Sequence, residues 1–132
     1  MGKSNYLENK VLDHLLGRTT YTAPATVYVA LYTTAPTDAG GGTEVSGGGY
    51  ARKAVANDAT NWPAAAGGSK SNGTAIVFDE ASSDWGTVEA FGIFDAAIGG
   101  NLLYWGAVTP AKTVNNGQTA RFPAGSLVIS ED

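Results

Sequence analysis

Cysteine is absent from this 132-residue chain, histidine and methionine occur once each, and charged residues make up only 15%. Without cysteine there are no disulfides, no thiolate zinc sites and no thiol chemistry. With His14 as the single histidine, a zinc site would need one imidazole and carboxylates, a poor donor set. A nucleophile–histidine–acid triad would depend on the same residue, and nothing near it suggests an activated serine. His14 is therefore read as a helix-surface or interface residue. Eight Lys and Arg stand against twelve Asp and Glu, for a net charge of −4, and the pI is about 4.8. The basic stripe of a nucleic-acid binder and the polybasic patch of a membrane anchor are both missing, so neither is an expected partner. No apolar run approaches the roughly 20 residues that a transmembrane helix needs. The N-terminus carries one lysine and then polar residues, which does not read as a signal peptide.

What the chain does have is glycine: 18 residues, about twice the usual share of roughly 7%. Hydrophobic residues reach 43%, enough to exclude disorder as the main state. The length predicts one β-rich domain over residues 1–132, able to bury a real core. The low charge, against about 25% in an average soluble domain, implies surfaces that a neighbour covers.

One helix is expected, over residues 5–16. Asn5 and Glu8 have the spacing of a capping pair. Leu7, Val11, Leu12, Leu15 and Leu16 recur at intervals of three and four and form one apolar stripe. Gly17 can end the helix at positive φ. A helix this short is not stable alone, so its stripe must pack on its own sheet or on another subunit.

Everything after Gly17 reads as strand and turn. Residues 26–33 alternate with a period of two, placing Val27, Val29 and Leu31 on a core face and Tyr28, Ala30 and Tyr32 on a second, partly covered one. Further strands are expected over 50–57, 73–78, 86–96, 101–109 and 127–130. In the 86–96 segment Val88, Ala90, Gly92 and Phe94 are expected on one face, and Phe91 and Ile93 on the other. Gly99-Gly100 reads as a hairpin turn, and Asn116-Gly117 as a type I′ turn linking 112–114 to 119–122. Residues 37–49 and 58–72 read as small-residue loops. The sum is a mainly β fold, an antiparallel β-sandwich or flattened barrel of about seven or eight strands with one short N-terminal α-helix.

Candidate chemistry is sparse. Asp79, Glu80 and Asp84 fall at a strand end in a polar turn; hard oxygen ligands could hold calcium there, but without EF-hand spacing. The glycine runs lack the lysine and following helix of a phosphate loop. No catalytic set and no cofactor or metal site emerges, and no enzyme activity is expected. Trp62, in a proline-containing loop, and Tyr50 are the candidate exposed contacts for a ligand or partner, whereas Trp105 reads as core or interface.

The segments SNYLENKVLDHLLG, YVALYT, GGGYAR and the hairpin GTVEAFGIFDAAIGGNLLYWGAVT resemble a family of small virion structural and tail-fibre proteins of tailed bacteriophages, over nearly the whole chain. The resemblance implies a non-enzymatic virion structural protein on the virion surface, in capsid or tail. The chain has no long heptads or collagen-like repeats to form a stalk. That favours a capsid decoration protein or a fibre-base component, with a receptor- or glycan-binding fibre module as the alternative. The expected partners are further copies of the chain, as a homo-oligomer such as a trimer, together with phage capsid or tail proteins and, in the alternative, a host-surface glycan.

Overall fold

The computed structural model describes residues 2–131. They form one helix and ten strands, and every strand pairing is antiparallel. The main sheet is built on three long or central segments: β2 (Thr26–Thr34), β7 (Gly86–Phe94) and β8 (Leu102–Val114). β7 lies between β2 and β8. β1 (Gly2–Lys3) adds to the free side of β8. The outer side of β2 is shared, with β4 (Lys53–Ala56) on its first half and β3 (Thr43–Glu44) on its last residues. Two small ribbons complete the fold: β5 (Ser69–Ser71) with β10 (Val128–Ser130), and β6 (Ile76–Val77) with β9 (Arg121–Phe122).

The helix α1 covers Asn5–Leu15. Its cap is Ser4, one residue earlier than the Asn5–Glu8 spacing suggested: the Ser4 hydroxyl accepts from the Leu7 N–H at 3.2 Å. The same hydroxyl donates to the Leu102 carbonyl, and the Ser4 N–H donates to Leu103 O at 2.8 Å. β1 thus runs straight into the cap, and β8 fixes where the helix can begin. At the other end the Leu16 N–H returns to Leu12 O, and Gly17 takes φ +125°.

The expected faces of β2 are observed. Val27, Val29 and Leu31 enter the larger core with Phe91, Ile93, Trp85, Ile76 and Leu127, while Ala30 and Tyr32 join a smaller cluster with Ala90, Phe94 and Leu102. Val88 is a correction. It lies in the larger core, on the face opposite Ala90. The register slips between Val88↔Lys112 and Ala90↔Ala107, and such a bulge inverts the alternation across it. Pro110 sits in the extra length of β8, where a residue without an N–H breaks no ladder bond.

Other boundaries differ for identifiable reasons. Residues 101–109 and 112–114 are one continuous strand, β8. Asn116-Gly117 does form a turn, with Gln118 N–H to Asn115 O at 2.9 Å, but the chain beyond it pairs with β6 and not with residues 112–114. The strands expected over 50–57 and 73–78 shorten to β4 and β6. β1, β3 and β5 are two or three residues long, too short to show a period, and they raise the count to ten.

Candidate functional site

The two faces of the main sheet end differently. On one, a second layer of ribbons and loops seals the larger core. Trp62 belongs to it: the indole is only 7% exposed, which corrects the reading of this tryptophan as an exposed contact. The reason is local. Asp58 Oδ1 accepts from the N–H groups of Thr60 and Asn61, and the Trp62 N–H donates to Asp58 O at 2.9 Å. Thr74 Oγ1 donates to Asn61 Oδ1 at 2.7 Å, and Gly73 lies so close that a Cβ there would come within 2.3 Å of Thr60 O. This loop is a packed cover. Trp62 Nε1 is the one enclosed side-chain polar atom without a hydrogen-bond partner among the described residues. Trp62 also borders an apolar groove of about 450 Å³, with Leu7 and Val11 of α1, Pro24 and Ile129.

The other face stays partly open. Its floor is Tyr32, Phe94 and Leu102, and a hollow of about 590 Å³ rises from them to the glycine loop at 40–42, with Asp38, Asn5 and Asn101 among its walls. Gly92 makes the floor flat: a Cβ there would come within 2.9 Å of the Tyr32 ring and 3.0 Å of Leu102. One edge of the hollow is held by a polar network. Tyr50 Oη accepts from the Leu31 N–H at 3.0 Å and donates to Glu44 Oε2 at 2.6 Å. Arg52 donates to both Glu44 oxygens, at 2.9 and 3.0 Å. Its Nη1 also donates to the carbonyls of Ala96 and Gly99, at 3.0 and 2.8 Å. The guanidinium lies 3.6 Å from the centre of the Phe94 ring, a cation–π contact. The network ties the loop 44–52 to the tip of the β7–β8 hairpin.

The electrostatics follow from this packing. Burial raises the Tyr50 pKa, and the hydrogen bond to Glu44 raises it further. Burial and the nearby Glu44 charge push the Tyr32 phenol up to about 12, with Arg52 working the other way. For Arg52, burial disfavours the charge, but the Glu44 carboxylate together with Tyr50 and Tyr32 more than offsets this, and the pKa is raised.

The remaining sequence candidates are dispersed. Tyr50 is half-buried with its hydroxyl engaged on both sides. Along the helix stripe, Leu7 is buried and Val11 half-buried, while Leu12, Leu15 and Leu16 are 55%, 69% and 76% exposed. His14 Nδ1 accepts from the Tyr21 N–H at 3.2 Å. Asp79 and Glu80 are exposed, and Asp84 accepts from the Asn116 N–H. Trp105 donates from Nε1 to Asp38 Oδ1 at 2.9 Å and packs against the smaller cluster. Sequence reasoning missed Glu44 and Arg52 as a unit. The available signal was the opposite charges of Glu44 and Arg52 flanking the second of two glycine triplets.

A mainly β domain with one face closed by its own loops and the other left as a polar hollow is a module suited to contact with other molecules. A family model described as podophage GP4 fiber I protein gp80 matches residues 2–130; the chain belongs to this family and is a structural component of a phage virion. No curated protein matches it.

Proposed function

We propose that this domain is a non-enzymatic subunit of a podophage tail fibre that assembles with further copies of itself and with other tail proteins. The family match favours a fibre over the capsid decoration role that the compact shape first suggested. The observation that carries self-association is the helix α1. Leu12 and Leu15, with Leu16 at the C-cap, are more than half exposed on and beside a helix whose Leu7 is already packed on its own domain. Three adjacent leucines left in solvent are explained by a neighbour that covers them.

The non-enzymatic reading is supported by the position of the titratable groups. His14 is bonded to a backbone N–H on the helix surface, and Glu44 and Arg52 are locked to each other. Release of peptidoglycan fragments by the purified protein would overturn it. The assembly reading is tested with Leu12→Asp and Leu15→Asp. Because these side chains are exposed in the single chain, the variants should keep the monomer's melting temperature within about 2 °C and lose the oligomer mass seen by native mass spectrometry. A wild-type chain that stays monomeric at micromolar concentration would refute self-association through α1. Antibody labelling of intact particles should mark the tail; label on the capsid shell would restore the decoration reading.

A further inference from the structure

The hollow on the open face has an unpartnered hydroxyl in its floor and one unpaired N–H at its edge. Tyr32 is 4% exposed, yet its hydroxyl makes no hydrogen bond with any described residue. It is not sealed in, since Trp62 Nε1 is the single enclosed orphan among the described residues. The oxygen therefore opens onto the hollow that the ring lines. The Arg52 side chain is 9% exposed and makes four hydrogen bonds to protein acceptors, leaving one of its five N–H groups without one. Buried polar groups in native proteins are nearly always paired. The free hydroxyl in the floor and the free N–H at the edge of the same hollow are both available to a partner from outside.

The chemistry of the walls narrows that partner. Asp38 and Glu44 against Arg52 leave the hollow with one excess negative charge, which disfavours an anion. The amide of Asn5 has no partner among the described residues, and Asn101 and the backbone of the glycine loop add further polar groups. Tyr6 contributes an aromatic wall. Groups that both donate and accept, beside an aromatic surface, match a ligand rich in neutral hydroxyls. The volume, about 590 Å³, falls within the roughly 300–1,000 Å³ of small-molecule sites.

We infer that the hollow bounded by Tyr32, Arg52, Asp38, Asn5, Asn101 and the glycine loop 40–42 is a binding site for a neutral saccharide. It lies apart from Trp62, and Tyr50 reaches it only through Glu44. The inference rests on the hollow's own chemistry and holds for a fibre or a capsid location alike.

The test is amide NMR of the full chain, titrated separately with D-glucose, D-galactose and N-acetyl-D-glucosamine, with D-glucuronate as the charged comparator. At least one neutral sugar should shift the amides of 40–42, Arg52 and Asn101, saturating with a Kd of about 1 mM. Tyr32→Phe, which removes one oxygen and keeps the ring, should weaken that binding roughly 5- to 10-fold. Asn5→Trp, at an exposed helix position, should block the hollow and abolish the shifts; it serves as the test if Tyr32→Phe does not fold. No shift at these residues with any of the three sugars overturns the proposal, as do shifts unchanged in both variants. Tighter binding of glucuronate than of glucose overturns the neutral assignment.

Discussion

The two faces of the main sheet use the same strands and reach opposite ends. On the closed face ribbons and loops cover the larger core, and even the buried polar residue Asn72 is fully engaged. Its Nδ2 donates to the carbonyls of Thr74 and Pro123 at 2.8 and 3.0 Å, and its Oδ1 accepts from the Leu127 N–H at 2.9 Å. On the open face the aromatic floor is as tightly packed, but the Tyr32 hydroxyl and one Arg52 N–H are left over. The difference teaches which residues serve folding and which remain available. Asn72 on the closed face finds its partners within the chain, and only Trp62 Nε1 among the described residues is enclosed there without one; on the open face the Tyr32 hydroxyl and one Arg52 N–H face the hollow.

That contrast can be broken from its strongest side first. Trp62→Ala should destabilise the fold by about 3–5 kcal/mol through loss of burial and the cavity left behind, measured by denaturant unfolding. Trp62→Phe should cost far less, because it also removes the unpartnered Nε1–H. If Trp62→Ala were neutral, the loop 58–68 would not be a structural cover. Next, Asn72→Ala should cost about 2–3 kcal/mol by stranding the Leu127 N–H and two carbonyls in the core. A loss below half a kcal/mol would mean that this hub is not a stabilising element.

Alkaline pH sharpens the comparison. The Tyr32 phenol is raised from 10.0 to about 12, so between these values the unfolded chain releases a proton that the folded chain retains. Stability is therefore intact below pH 10 and falls as pH rises from there toward 12. Tyr50, raised in the same direction, adds to the fall. Unfolding followed against pH should show this alkaline limb, and Tyr32→Phe should make it shallower. A limb of unchanged slope would place the Tyr32 hydroxyl in an ordinary solvated setting.

Much of this architecture was legible because it is local. The alternation in residues 26–33 separated Val29 and Leu31 from Ala30 and Tyr32, and so announced two faces. Gly99-Gly100 announced the β7–β8 hairpin. The misreadings arose where distant segments decide. Val88 changes face because a bulge opposite Pro110 shifts the register, and no property of residues 86–96 alone records it. Trp62 is buried because Asp58, Asn61 and Gly73 fold its loop inward, whereas its composition is that of an exposed turn. The open-face hollow depended on Glu44 meeting Arg52 across a glycine loop; opposite charges flanking that loop were the only hint, because no fixed spacing specifies such a pair.

The most direct test of the contrast is a pair of matched substitutions, Tyr50→Phe and Tyr32→Phe, compared by thermal unfolding at neutral pH. Each removes one hydroxyl and keeps one ring. Tyr50→Phe should lower the melting temperature by about 3–6 °C, because the Leu31 N–H loses its acceptor and Glu44 one of its three hydrogen bonds. Tyr32→Phe should leave it within about 1 °C, because that hydroxyl has no partner in the protein to lose. Equal losses in the two variants would contradict the account.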